Sequence, residues 1–281
     1  MSDDFDLRVI SLGAGVQSST LYRMAALGEI PGPKPDMVFA DTQAEPPWVY
    51  EQLDALERDH GDVIPIRRPT AGNLANDLLH GKNSTGHRFA SVPFWVEGRD
   101  GSSTPTKRHC TREYKIDVVK RAIRDELGLK PGERAVGRFR VEEWVGISVD
   151  EATRAKPSRY DWIETRWPLL YDVPMRRSDC LEWNESRGFP APGKSACTFC
   201  PYRHDAEYAR WREEAPDLFE EACRIDEAIR NAGALVQRGM RNPQYVSRSL
   251  IPLRDLPLLE ELDGRQQIDL FDNECEGMCG I

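Results

Sequence analysis

Apolar residues fall into short bursts, each followed by a stretch with helical spacing. Leu7 to Leu12 is a buried-type run ending in Gly13-Ala14-Gly15, after which Leu21, Met24, Ala25 and Leu27 recur on one helix face. Met37 to Ala40 predicts a second strand that stops at Asp41-Thr42, and Trp48 to Arg58 a second helix. Val63 to Ile66 predicts a third strand and Leu74 to Leu79 a short helix. Asn83 to Thr106, rich in glycine, serine and proline, reads as a loop. Ile116 to Leu127 predicts a helix ending at Gly128, and Glu143 to Ser148 a further strand. The βαβα rhythm implies an α/β fold, a doubly wound, mostly parallel sheet, over residues 1–168. Residues 169–281 read as a helical, cysteine-containing C-terminal region, with Ser178 as an N-cap and one long amphipathic run from Ala206 to Ala232.

With 281 residues, 40% hydrophobic and 30% charged, the chain can bury a full core without staples. Its first eight residues carry four charged side chains, unlike a signal peptide, and no apolar run approaches the roughly 20 residues needed to cross a bilayer. A cytoplasmic location is expected. Seven cysteines in such a compartment favour metal binding or thiol chemistry over disulfides. The net charge of −9 denies the whole protein a long-range pull on nucleic acid. Local basic groups remain, Lys107, Arg108 and Arg112 or Arg238 and Arg241, which as readily describe a solvated surface.

A glycine turn between a buried strand and a helix lets backbone N–H groups approach phosphate, and the positive helix end favours the anion. Ser11-Leu12-Gly13-Ala14-Gly15-Val16-Gln17-Ser18-Ser19-Thr20 has this form, with hydroxyls that could cap the helix or donate to phosphate. It is neither a Walker loop nor Gly-x-Gly-x-x-Gly, and such a turn can also be purely structural. Asp41-Thr42 stands just past a strand end, where parallel sheets collect ligands, or where a helix is capped.

The loop resembles the PP-loop of the adenine nucleotide alpha-hydrolase superfamily, in its phosphoadenylylsulfate reductase branch. Phe39-Ala40-Asp41-Thr42 with Glu45-Pro46 resembles that branch's second motif. Arg108-His109-Cys110-Thr111 with Lys115, and Val145-Gly146-Ile147 with Asp150-Glu151 and Arg154-Ala155, resemble its later ones. Relative to the family's Ser-Gly-Gly-x-Asp-Ser, Gly13 replaces the first serine, Ala14 a glycine and Gln17 the aspartate, while Ser18 keeps its place. The resemblance implies an adenine nucleotide such as ATP held by Ser11, Gly13, Ala14, Gly15, Gln17, Ser18, Ser19, Asp41, Thr42 and Gly146. Asp41, Lys115 and Arg154 would then serve the chemistry.

Cys197-Thr198-Phe199-Cys200-Pro201 is a CxxC hook whose sulfurs can share one centre. Cys180 lies shortly upstream, and the resemblance places Cys110 beside the nucleotide. These four would form a Cys₄ site for a [4Fe–4S] cluster or zinc, with Cys275 or Cys279 able to replace Cys110 or Cys180. Cys223, within an amphipathic run, reads as a buried hydrophobe. Lys194-Ser195-Ala196-Cys197 through Pro201, with Trp211, also resembles reductase-like proteins related to DNA phosphorothioation sulfurtransferases, which use an iron–sulfur cluster. The expected activity is that of an ATP-dependent sulfurtransferase or reductase-like enzyme with a nucleic-acid or small-molecule acceptor. The alternatives are thiol-dependent reduction of phosphoadenylylsulfate and a zinc-stabilised binding module.

Overall fold

A computed structural model describes residues 4–87, 90–231 and 242–259. Cys275, Cys279, Arg238 and Arg241 lie outside them. Five strands form one parallel sheet in the order β3-β2-β1-β6-β7: β1 Leu7–Leu12, β2 Asp36–Phe39, β3 Ile66–Arg67, β6 Val141–Val145 and β7 Ile163–Arg166. β4 Trp95–Glu97 and β5 Ser103–Pro105 make a separate antiparallel hairpin.

Alternation along the strands divides the side chains between two cores, as a sheet covered on both faces requires. Ile10, Leu12, Met37, Phe39 and Trp144 pack beneath α1 Val16–Leu27, α2 Pro47–His60 and α6 Arg177–Ser186. Val9, Val38, Val141 and Ile163 face α4 Asp117–Glu126. The sheet is thus doubly wound. A third apolar cluster, beyond the end of β2, joins α3 Leu74–Leu79 to α7 Asp205–Glu214 and α8 Pro216–Asn231. From α5 Pro168–Tyr171 onward the helices therefore share their cores with residues of the first half.

Several local expectations shift. The expected loop at 83–106 contains the β4–β5 hairpin. The third strand begins at Ile66, because Val63 and Ile64 close the turn after α2 through bonds to the His60 carbonyl. The run from Ala206 to Ala232 breaks at Pro216, which has no N–H to continue a helix. Ser178 lies inside α6; Arg176 is its N-cap, and the Asp179 carboxylate accepts from the Arg176 backbone N–H. Among the described residues no helix is long and apolar enough to cross a membrane.

Candidate functional site

Residues 11–20 are all buried. Ala14 takes the left-handed conformation (φ +59), a strained position for a residue with a Cβ. Gly15 begins α1 with no side-chain cap, so the donors of the first helical turn are not met by the N-cap residue. Ser18 instead staples the loop: its hydroxyl accepts from the Gly13 N–H (3.2 Å) and donates to the Gly15 carbonyl (3.4 Å).

Gly146, just beyond β6, closes over the loop. A Cβ there would sit 2.8 Å from Ser18 Cα and 2.9 Å from Ser18 N, so only glycine fits. The Gln17 amide donates to Ser148 Oγ (3.3 Å) and Glu151 Oε2 (3.1 Å), and Arg154 pairs with Glu151. Gln17, Ser18, Gly146 and Arg154, distant in sequence, thus form one unit. Ser19 is fully buried with its hydroxyl unpartnered, whereas Thr20 turns away to Asn184 and the Val16 carbonyl.

At the end of β2, the Asp41 carboxylate accepts from the Gln43 N–H (2.7 Å) and the Tyr50 hydroxyl (3.0 Å), which orient it. Thr42 Oγ1 lies 3.5 Å from Cys197 Sγ, and the Thr198 N–H donates to the Ala44 carbonyl, tying the CxxC turn to the same strand end. Cys110, Cys197 and Cys200 line one pocket with Thr42, Arg108, Thr111 and Lys115. The pocket opens to solvent and is otherwise largely apolar, through Leu74, Val92, Pro93, Phe199 and Pro201. Burial pushes the Cys110 and Cys197 thiols above their ordinary range; Lys115 opposes this at both and Glu45 adds to it at Cys197.

The sequence reading assigned no role to Glu45. Its side chain is fully buried, one oxygen holds Lys115 at 3.0 Å, and the other has no partner. It also gave no weight to Arg203, which braces the CxxC turn. The guanidinium donates to the Cys197 carbonyl (3.2 Å), the Ala196 carbonyl and Glu207 (3.0 Å), and lies over the Trp211 ring at 4.6 Å. A basic residue shortly after a CxxC pair was the available signal.

Cys180 does not join the other three. It packs in the core beneath α1, a different cluster from the one that Cys110 and Cys197 pack against, and its carbonyl accepts from Asn184. Cys223 is buried in the third cluster, as expected. Three thiols line one pocket and have the donor type of a thiolate-held centre; Cys180 shares the donor type but not the place. Among the described residues no three histidine, cysteine or acidic side chains lie close enough together to hold a metal ion.

No protein-family model matches the chain, and no curated protein matches it. Among solved structures it is similar to a phosphoadenylyl-sulfate (PAPS) reductase from Candida auris in a phosphate complex. The likeness has 11% sequence identity and a TM-score of 0.39, covering 67% of this chain and 76% of that one. At that level it carries no argument about activity.

Proposed function

We propose that this chain is an ATP-using sulfurtransferase or reductase-like enzyme that works with a thiolate-held iron–sulfur centre on Cys110, Cys197 and Cys200. The observation that carries the reading is that three thiols line one pocket with Lys115 and Thr42 beyond the carboxyl end of β2, the strand paired with β1. Ligands of open parallel sheets collect at that edge.

In this reading the first-turn N–H groups of α1 take the nucleotide phosphates. Asp41, oriented by Tyr50, fixes the nucleotide. Lys115, held by Glu45, supplies fixed positive charge beside the reacting anion. Arg154 acts through Glu151 on Gln17, so its first effect is on the loop. Cys110, Cys197 and Cys200 would hold the centre, which when bound would supply sulfur or electrons. Adenylation would turn a poor oxygen leaving group into AMP before a sulfur nucleophile attacks.

Thiol donors suit zinc as well as iron–sulfur chemistry. The test incubates anaerobically purified protein with ATP, a sulfide donor and an oxygen-bearing acceptor (RNA, DNA or a small molecule), and follows AMP and pyrophosphate by chromatography. Release dependent on Lys115 and the three thiols supports the enzyme. A colourless zinc protein that binds ATP without cleaving it supports the binding-module alternative instead.

A further inference from the structure

A second cavity adjoins the thiol pocket. It holds about 430 Å³, against about 40 Å³ of room beside the thiols, and the two share Val92 alone. Small-molecule sites run from roughly 300 to 1,000 Å³, so this cavity has the size of one and the thiol pocket does not. Leu78 of α3 and Ile229 of α8 form part of its apolar wall, and Val92, Phe94 and Pro105 form much of the rest.

Four polar residues also line the cavity, and two of them are already committed. The Ser91 hydroxyl donates to the Lys107 carbonyl (2.7 Å) and the Thr106 hydroxyl to the Val92 carbonyl (3.0 Å). The Ser91 carbonyl in turn accepts from the Cys110 N–H (2.9 Å), and the Thr106 N–H donates to the Phe94 carbonyl (2.9 Å). These bonds tie segments 91–94 and 106–110 into one wall, so the cavity is a built feature of the fold. Gln244 differs. It is 4% exposed, yet among the described residues its side chain makes no hydrogen bond. Buried amides are normally paired, and one that lines a cavity without a protein partner has its donors and acceptor free for a ligand. Lys107 is exposed and makes no ion pair among the described residues, and no acidic residue lines the cavity.

From these features we infer that the cavity binds a small apolar monoanion, a single carboxylate carried on a hydrocarbon body. The body fills the apolar walls, and the carboxylate meets the Lys107 ammonium and the Gln244 amide. A nucleotide or other polyphosphate does not suit the cavity, because one lysine would leave most of its charge against apolar walls without partners. The inference stands on this cavity and does not depend on the function proposed above.

The experiment is calorimetric titration of the full chain with octanoate and with 1-octanol, an uncharged body of the same length. Wild type should bind octanoate with a Kd of about 1 mM or tighter, as ten heavy atoms in such a site permit. Lys107→Met removes the charge and keeps the stem, and Gln244→Leu removes the amide. Each should weaken octanoate about threefold or more, the scale of an exposed ion pair, and leave 1-octanol binding no weaker. Ile229→Trp fills the cavity and should abolish binding of both. Lys107 is exposed, so its variant keeps the test decisive even where Ile229→Trp does not fold. The inference is overturned if wild type binds no octanoate at about 5 mM. It is also overturned if Lys107→Met binds octanoate as tightly as wild type, if a folded Ile229→Trp binds it undiminished, or if inorganic phosphate displaces it at equal concentration.

Discussion

Replacing Gly146 by alanine perturbs the glycine loop without touching any of its own residues. The added Cβ would lie 2.8 Å from Ser18 Cα and 2.9 Å from Ser18 N. Carbon atoms pack comfortably at about 3.5–4.0 Å, so Ser18 or β6 must yield by about 0.7 Å. Both neighbours are backbone, held by a strand ladder on one side and a buried helix on the other. Gly146 lies outside the left-handed region, so the problem is one of space alone. Overpacking of this kind costs about 1–3 kcal/mol, or roughly 2–12 °C in melting temperature for a chain of this size. If the Ser18 N–H meets a phosphate, losing that charge-assisted bond removes a further 1.5–3 kcal/mol or so from binding, about a 10- to 150-fold rise in the ATP Kd. Gly128→Ala is the control. Its φ of +67 makes alanine costly by about 1–2 kcal/mol, but nothing lies within 4 Å of the new Cβ and it sits just past the end of α4. Calorimetric titration with ATP should show a weakened Gly146→Ala and an unchanged Gly128→Ala. Equal ATP affinity in all three folded proteins would refute the phosphate role of the loop.

Glu143 is a buried carboxyl on β6 whose pKa is raised to about 7 by burial. Because the native state holds this proton above the unfolded value, stability from this group should fall as pH rises from about 4.5 to 7 and then level off. Glu143→Gln should flatten that part of a melting-temperature profile against pH, and an unaltered slope would assign it to other groups. Arg203→Ala should release the CxxC turn and lower the metal content. Arg203→Lys should restore only part of it, because an ammonium cannot reach both carbonyls and Glu207 as a planar fork does. Full metal content in Arg203→Ala would show that the turn needs no brace.

Much of this fold was legible because buried parallel strands write themselves as short apolar runs beside helical periods. β1 and α3 begin and end at the predicted residues, and β2 and α1 lie within or close to the predicted segments. β7 was missed because Ile163-Glu164-Thr165-Arg166, at the sheet edge, has a single buried apolar residue. The β4–β5 hairpin was hidden by strands of three residues among glycine and proline. Cys180 was misjudged because nearness in sequence says nothing about which core a helix faces. α6 turns Cys180 toward α1, while Cys110, some seventy residues earlier in the chain, reaches the CxxC pocket. Glu45 was quoted in a motif, but only its burial against Lys115 reveals what it does.

The most direct test of the central claim is elemental analysis of iron, acid-labile sulfide and zinc in the anaerobically purified full chain. It compares wild type with Cys110→Ala, Cys197→Ala and Cys180→Ala. Wild type should be brown and contain iron, the Cys110 and Cys197 variants should lose iron, and Cys180→Ala, whose sulfur lies in a different core, should retain it in full. Full iron in Cys197→Ala, or its loss only in Cys180→Ala, would contradict that claim.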